Sequence, residues 1–137
     1  MLGLHAYIEV ADLEHGIEFY CRGFDLRLKR RLSPRWAELS GAQIPVFLLG
    51  GLPSLADLGS LKAERSYQRH WTPVHLDFIV ANLDEAVARL EALGAVLDRP
   101  IKDREYGRIA NLADPFGNGF DVIEFTRNGY DAVDRRE

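Results

Sequence analysis

Two histidines stand at equivalent points of two similar stretches. Leu4-His5-Ala6-Tyr7-Ile8-Glu9-Val10 opens the chain, and Val74-His75-Leu76-Asp77-Phe78-Ile79-Val80 echoes it near the middle. Each alternates apolar and mixed residues and is rich in β-branched or aromatic types, which predicts a strand. Side chains alternate across a strand. Leu4, Ala6, Ile8 and Val10, and likewise Val74, Leu76, Phe78 and Val80, therefore form packing faces. His5 leaves on the opposite face with Tyr7 and Glu9, and His75 with Asp77 and Ile79. Imidazole is the commonest protein ligand for metals, but a strand histidine can equally line a binding cleft. The residues alone leave both open.

Other groups with chemical potential are fewer. Arg108, beside Tyr106-Gly107 at the start of a predicted strand, can hold a substrate carboxylate or serve only as a surface charge. Trp36, Tyr67, Trp71 and Tyr106 fall where a rim could form. His15 lies on a predicted helix and His70 in a connection, both ordinary surface positions, although His70 adjoins Trp71. Cys21 is the sole cysteine, so no internal disulfide exists, and it reads as a small core-facing residue without an activated thiolate.

The elements that must position these residues form a repeat. A shift of seventy places sets His5 on His75, Ala11 on Ala81, Leu13 on Leu83 and Ile17 on Val87. After each histidine strand comes an N-cap residue, Asp12 or Asn82, whose side chain can accept a first-turn amide. Glu85 completes a capping box with Asn82. The first helix carries Leu13, Ile17, Tyr20 and Cys21 and stops near Gly23. The second carries Leu83, Val87, Leu90 and Leu93 and stops at Gly94.

Three strands follow each helix, predicted over 24–31, 35–39 and 44–49, then over 95–100, 108–112 and 119–125. Asp114-Pro115-Phe116-Gly117-Asn118-Gly119 makes a tight turn before the last strand. The unit is βαβββ, twice. Module one spans 1–50, a connection 51–72, and module two 73–127, together one domain over 1–127. In the connection, Ser54 and Asp57 suit a helix start, and Leu55, Leu58 and Leu61 a helical stripe over about 54–69. Residues 128–137 read as a polar, flexible tail.

Composition bounds the partners. The 137 residues, 47% hydrophobic and 28% charged, suit a globular domain with a real core. The net charge of −4 argues against nucleic acid, whose phosphates need an excess of Lys and Arg. Arg27, Lys29, Arg30 and Arg31 read as a solvated strand edge. No apolar run approaches a membrane span. With no targeting segment at the N-terminus, a cytoplasmic location is expected.

These residues resemble the vicinal oxygen chelate superfamily, which includes glyoxalase I, bleomycin-resistance proteins, fosfomycin-resistance enzymes and extradiol dioxygenases. The likeness covers about residues 3–126. It rests on the paired units, a histidine early in the first strand of each, and the Asp114-Pro115-Phe116-Gly117-Asn118 turn. It implies an α+β fold in which two βαβββ modules form an eight-stranded, U-shaped mixed sheet with helices on its outer face, commonly as a homodimer.

In metal-dependent members, ligands come from the first and last strands of each unit. The matching positions are His5, His75 and Asp121, the last counted three residues after Asn118. Parity sends Glu124 to the other face, where a single bulge would exchange the two, so Glu124 is the runner-up. The same count in module one reaches Pro45, which cannot ligate, with Gln43 one step away as a weak donor. Fe²⁺, Mn²⁺, Zn²⁺ or Ni²⁺ could each occupy such a site, as could no metal at all.

Tyr7, Phe47, Asp77, Ile123 and Phe125 share faces with these positions and, with Arg108, are the expected substrate contacts. Strand rise places Asp77 some 6–7 Å beyond His75. Two functions follow. One is a divalent-metal-dependent lyase, isomerase or dioxygenase acting on a small vicinally oxygenated substrate. The other is a metal-free protein, like the bleomycin-resistance proteins, binding an apolar or aromatic small molecule in the cleft.

Overall fold

Asp12 starts the first helix as its residue type allows. Its carboxylate accepts the His15 amide at 2.8 Å, and α1 runs Leu13–Phe24. The helix ends at Asp25, whose φ of 55° is left-handed, a conformation aspartate tolerates better than most residues. Asn82 does the same for α2, Leu83–Ala92, accepting the Glu85 amide at 3.1 Å, and Gly94 with φ 104° closes the turn beyond. Each such cap contributes about 1 kcal/mol. These features belong to a computed structural model that describes residues 1–135 and in which the chain forms two compact units, Met1–Gln68 and Arg69–Glu137.

In the first unit β1 (Ala6–Val10), β2 (Arg27–Ser33), β3 (Trp36–Ser40) and β4 (Val46–Gly50) form a sheet in the order β1-β4-β3-β2. β1 and β4 are parallel, and the other pairs antiparallel. α1 packs Leu13, Phe19 and Tyr20 onto the face carrying Ile8, Val10, Ala37, Leu39, Val46 and Leu48. Each large side chain so buried is worth about 1.5–3 kcal/mol. Gly50 is needed for the approach: a Cβ there would lie 2.6 Å from the Leu13 amide nitrogen. Ile17 and Cys21, expected on the buried stripe, are only half-buried, and Gly16 and Gly23 face the sheet instead.

The connection folds differently from its leucine spacing. No helix forms over 54–69. β5 (Leu55–Leu58) and β6 (Leu61–Glu64) make a hairpin. Gly59, at φ 77°, supplies the turn; the Asp57 carboxylate accepts its amide at 3.0 Å and pairs with Lys62 at 2.7 Å. Leu55, Leu58 and Leu61 are therefore exposed.

The second unit repeats the order of the first. β7 (Leu76–Ile79), β8 (Val96–Leu97), β10 (Gly107–Ala113) and β11 (Gly119–Phe125) run β7-β11-β10-β8, and β9 (Lys102–Arg104), absent from the sequence expectation, pairs with β10. β7 and β11 are parallel. α2 buries Leu83, Ala86, Val87 and Leu90 against the face carrying Ala110, Leu112, Phe120 and Val122. The α+β class and the paired βαβββ units hold. Hydrogen bonding groups the strands unit by unit, four in the first main sheet and five in the second.

The tail expected to be flexible carries a short 3-10 helix, Gly129–Val133. Tyr130 packs on Phe125 at 4.8 Å and on Tyr106 at 5.2 Å between ring centroids. The last two tail positions, 136 and 137, lie outside the described residues.

Candidate functional site

Sheet register assembles the site in the second unit. Asp77 and Asp121 are partners across the parallel β7–β11 pair, and Asn111 is the partner of Asp121 across β10–β11. Partnered residues point to the same face, so three polar side chains stand in a row on the side away from α2. His75, two residues before Asp77, joins them. Its Nε2 lies 3.1 Å from Asp77 Oδ1 and 3.2 Å from Asp121 Oδ2. One donor atom from each of the three lies within 4.8 Å of the others.

The separation of Asp77 from His75 expected from strand rise is thus corrected. Their Cα atoms are two residues apart, but the side chains converge to hydrogen-bond distance. Burial first, and the neighbouring Asp121 charge second, hold the Asp77 carboxyl above the ordinary carboxylate range; His75 partly offsets this. Asn111 Nδ2 donates to Asp121 Oδ1 at 2.6 Å and orients that carboxylate.

Glu124 faces the other way. Its Oε1 accepts the Leu83 amide at 2.8 Å at the start of α2, where a carboxylate also meets the positive end of the helix dipole. Arg108 is its cross-strand partner and shares that face. It is bound to Asp84 at 2.9 and 3.2 Å and to Asp103 at 3.3 Å, so of the two readings open for it, substrate contact or surface charge, the structure shows a surface ion-pair network on the face opposite Asp121.

Ile123 lies on the site face but is 1% exposed and partnered with Ile79 and Ile109. Phe125, half-buried, supports Tyr130. Tyr130, like Asn111, is a site-face residue that the sequence expectation lacks. Its phenol is pushed up by desolvation first, then by the charges of Asp77, Tyr106 and Asp121, which puts it in the electrostatic reach of both acids.

A cavity of about 200 Å³ opens at the His75–Asp121 edge of the cluster, and Asn111, Arg69, Trp71 and Asp98 also line it. It is smaller than the roughly 300–1,000 Å³ of drug-sized sites, so it admits a small molecule or one end of a larger one.

The equivalent row in the first unit is aromatic. Tyr7 partners Phe47, and Glu38 partners Phe47 on the other side. Phe47, not Pro45, is therefore the counterpart of Asp121, since the register and not the turn count fixes equivalence. Tyr7 stacks on Phe47 at 4.8 Å with 9° between planes, and it is 50% exposed. His5 stands just before β1 with its ring 4.9 Å from Phe47. Trp36 lies 6.4 Å from the same ring. Glu38 is buried and paired to Arg30 at 3.1 Å and Lys29 at 3.3 Å, and Glu9 holds Arg65 at 2.7 and 3.2 Å.

Comparison with known proteins follows the same lines. The family model of the glyoxalase-like domain matches residues 5–123. Two curated relatives are the anthracycline biosynthesis proteins DnrV of Streptomyces peucetius, 35% identical over 74% of this chain, and DauV of Streptomyces sp. (strain C5), 33% identical over 82%. The chain spans 35% and 38% of their lengths.

Solved structures of similar fold include the fosfomycin resistance protein FosX of Listeria monocytogenes, at TM-score 0.69 and 22% identity, covering 93% of this chain and 97% of that one. The antibiotic-binding protein TnmS3 of Streptomyces sp. CB03234 matches at TM-score 0.63 and 22% identity, covering 92% and 97%. Among the described residues no helix is long and apolar enough to cross a membrane. Duplicated βαβββ units, the turn before the last strand and the family match agree: the chain belongs to the glyoxalase-like domain family of the vicinal oxygen chelate superfamily.

Proposed function

We propose that the chain is a divalent-metal-dependent enzyme of the vicinal oxygen chelate type, with His75, Asp77 and Asp121 as cation ligands. The observation that carries this reading is the convergence of one imidazole nitrogen and two carboxylates on one sheet face. The donor set fits a cation on two counts. Ligands bound at about 2.1 Å in adjacent octahedral positions stand about 3 Å apart, and His75 Nε2 lies 3.1 and 3.2 Å from the two carboxylate oxygens. Burial first, and repulsion from the Asp121 carboxylate second, keep Asp77 above the ordinary range, and a cation relieves the repulsive part.

Two carboxylates and one imidazole suit Mn²⁺ or Fe²⁺ better than softer ions. A bound cation supplies a Lewis acid for adjacent substrate oxygens. The protein's own groups do the rest. Asn111 fixes the Asp121 carboxylate and leaves its Oδ2 toward His75. Tyr130, its phenol pushed up, keeps its proton at neutral pH and can donate it in a hydrogen bond to a substrate oxygen. The reaction is a lyase, isomerase or dioxygenase step on a small vicinally oxygenated compound. A FosX variant complexed with Mn(II) and 1S,2S-dihydroxypropylphosphonic acid supports the metal reading by likeness of fold. The names of the two curated relatives favour an oxygenated polycyclic aromatic substrate.

A second reading has its own observation. The half-exposed Tyr7 stacked on Phe47, with Trp36 Nε1 buried and lacking a hydrogen-bond partner among the described residues, suits a metal-free site for an aromatic compound. The test that separates them is calorimetric titration of chelator-treated protein with Mn²⁺. The metal reading expects saturable binding of one equivalent, lost in His75→Ala and Asp121→Ala and kept in Glu124→Gln. His5→Ala, titrated beside them, asks whether the first-unit imidazole takes part. Absence of saturable binding in the unmutated protein would leave only the second reading.

A further inference from the structure

We propose that the cavity beside His75 and Asp121 is an anion site in which Arg69 holds a carboxylate or similar oxyanion of the substrate. This deepens the reading above and rests on it for the neighbouring cation. Arg69 lines the cavity, and three hydrogen bonds position it. Its Nε and Nη2 donate to Asp98 Oδ2 at 3.2 and 2.9 Å, and its Nη1 donates to the His70 carbonyl. A guanidinium carries five N–H donors. Three are used in positioning, which leaves two.

Gly119 makes the placement possible. A Cβ at 119 would lie 2.6–2.7 Å from the guanidinium nitrogens and carbon, so the guanidinium lies flat against a backbone that has no side chain to displace it. A planar fork fixed this way suits two-point recognition of an oxyanion.

Charge points the same way. Arg69 and Arg99 line the cavity and balance Asp98 and Asp121. A divalent cation, set against the further charge of Asp77, leaves the pocket positive by one unit. A neutral ligand would leave that charge uncompensated, and a monoanion compensates it. The volume of about 200 Å³ suits a single carboxylate-bearing ring or the acidic end of a larger molecule.

The experiment compares salicylate with salicyl alcohol, which share a ring and an adjacent oxygen and differ in charge. Both are titrated calorimetrically into the full chain, in chelator and with Mn²⁺. With Mn²⁺ present, the expected result is salicylate binding about tenfold or more tighter than salicyl alcohol, and in chelator that preference should shrink. Arg69→Met should abolish that preference without changing Mn²⁺ affinity. Arg69→Lys should keep part of it, and Gly119→Ala, whose Cβ would take the guanidinium's place against the strand, should weaken it. Equal affinity for the two compounds, no binding of either, or an undiminished preference in Arg69→Met and Gly119→Ala overturns the anion site. The two readings fail separately, because Mn²⁺ titration without salicylate tests the cation ligands alone, and loss of the salicylate preference in Arg69→Met at unchanged Mn²⁺ affinity tests Arg69 alone.

Discussion

Replacing Asp77 by Asn should make the metal-free protein more stable and the metal-loaded protein less responsive. Asp77 and Asp121 face each other as sheet partners, and burial and mutual charge raise the Asp77 pKa in the folded state. The folded protein therefore binds more protons than the unfolded chain between the two pKa values. Stability falls as pH rises through that window and stays reduced at neutral pH. Asparagine removes the charge at similar volume. With the side chain 35% exposed, screening limits the gain to about 0.5–1 kcal/mol, or about 2–4 °C in melting temperature.

The cation acts in the opposite sense. At a hundred times its dissociation constant it contributes about 2.7 kcal/mol, about 8–10 °C for a chain of this size. Losing one ligand weakens binding about 100-fold or more. The same Mn²⁺ concentration then stabilises Asp77→Asn by about 0.4 kcal/mol, a shift of about 1–2 °C. Scanning calorimetry of both proteins in chelator and in Mn²⁺ reads all four values. A lower metal-free melting temperature in the variant together with an undiminished Mn²⁺ shift would refute the reasoning.

Four further outcomes follow from the same geometry. Glu124→Ala removes the acceptor of the Leu83 amide and should cost about 1–2 kcal/mol by urea unfolding, with Mn²⁺ affinity unchanged. Gly50→Ala sets a Cβ against the Leu13 backbone and should destabilise the first unit by about 2 kcal/mol or more, read by the same unfolding curves. Asp114→Ala deprives the Phe116 and Asn118 amides, at 2.8 and 2.9 Å, of a buried acceptor and should cost about 2–4 kcal/mol. Burial pushes the Cys21 thiol up, so its alkylation by iodoacetamide at about pH 8 should be much slower than that of glutathione and should accelerate only at higher pH.

The parts of the fold legible in the sequence are those set by local chemistry. Asp12 and Asn82 cap helices because a short acceptor side chain reaches the third amide on, whatever surrounds it. The turn at Asp114 is legible for the same reason, since the aspartate satisfies the amides of its own loop. The 51–72 connection departs from its expected helix because leucines three apart at 55, 58 and 61 fit a helix, whereas Gly59 at a left-handed φ with Asp57 accepting its amide closes a hairpin.

Proximity across strands was harder to read. Spacing along the chain separates Asp77 from His75, but the parallel pairing of β7 with β11 puts Asp77 beside Asp121, and no single stretch contains that pairing. The same register replaces Pro45 by Phe47 as the first-unit counterpart. Tyr130 was hidden because a polar tail gives no sign that one aromatic ring will fold back onto Phe125 and Tyr106.

The central claim, a divalent cation held by His75, Asp77 and Asp121, is tested most directly by anomalous diffraction from crystals grown with Mn²⁺. The account predicts one strong peak within about 2.0–2.4 Å of His75 Nε2 and of a carboxylate oxygen from each aspartate. A map with no peak at these three side chains, or with Mn²⁺ bound elsewhere in the chain and the cluster closed by its own hydrogen bonds, would contradict it.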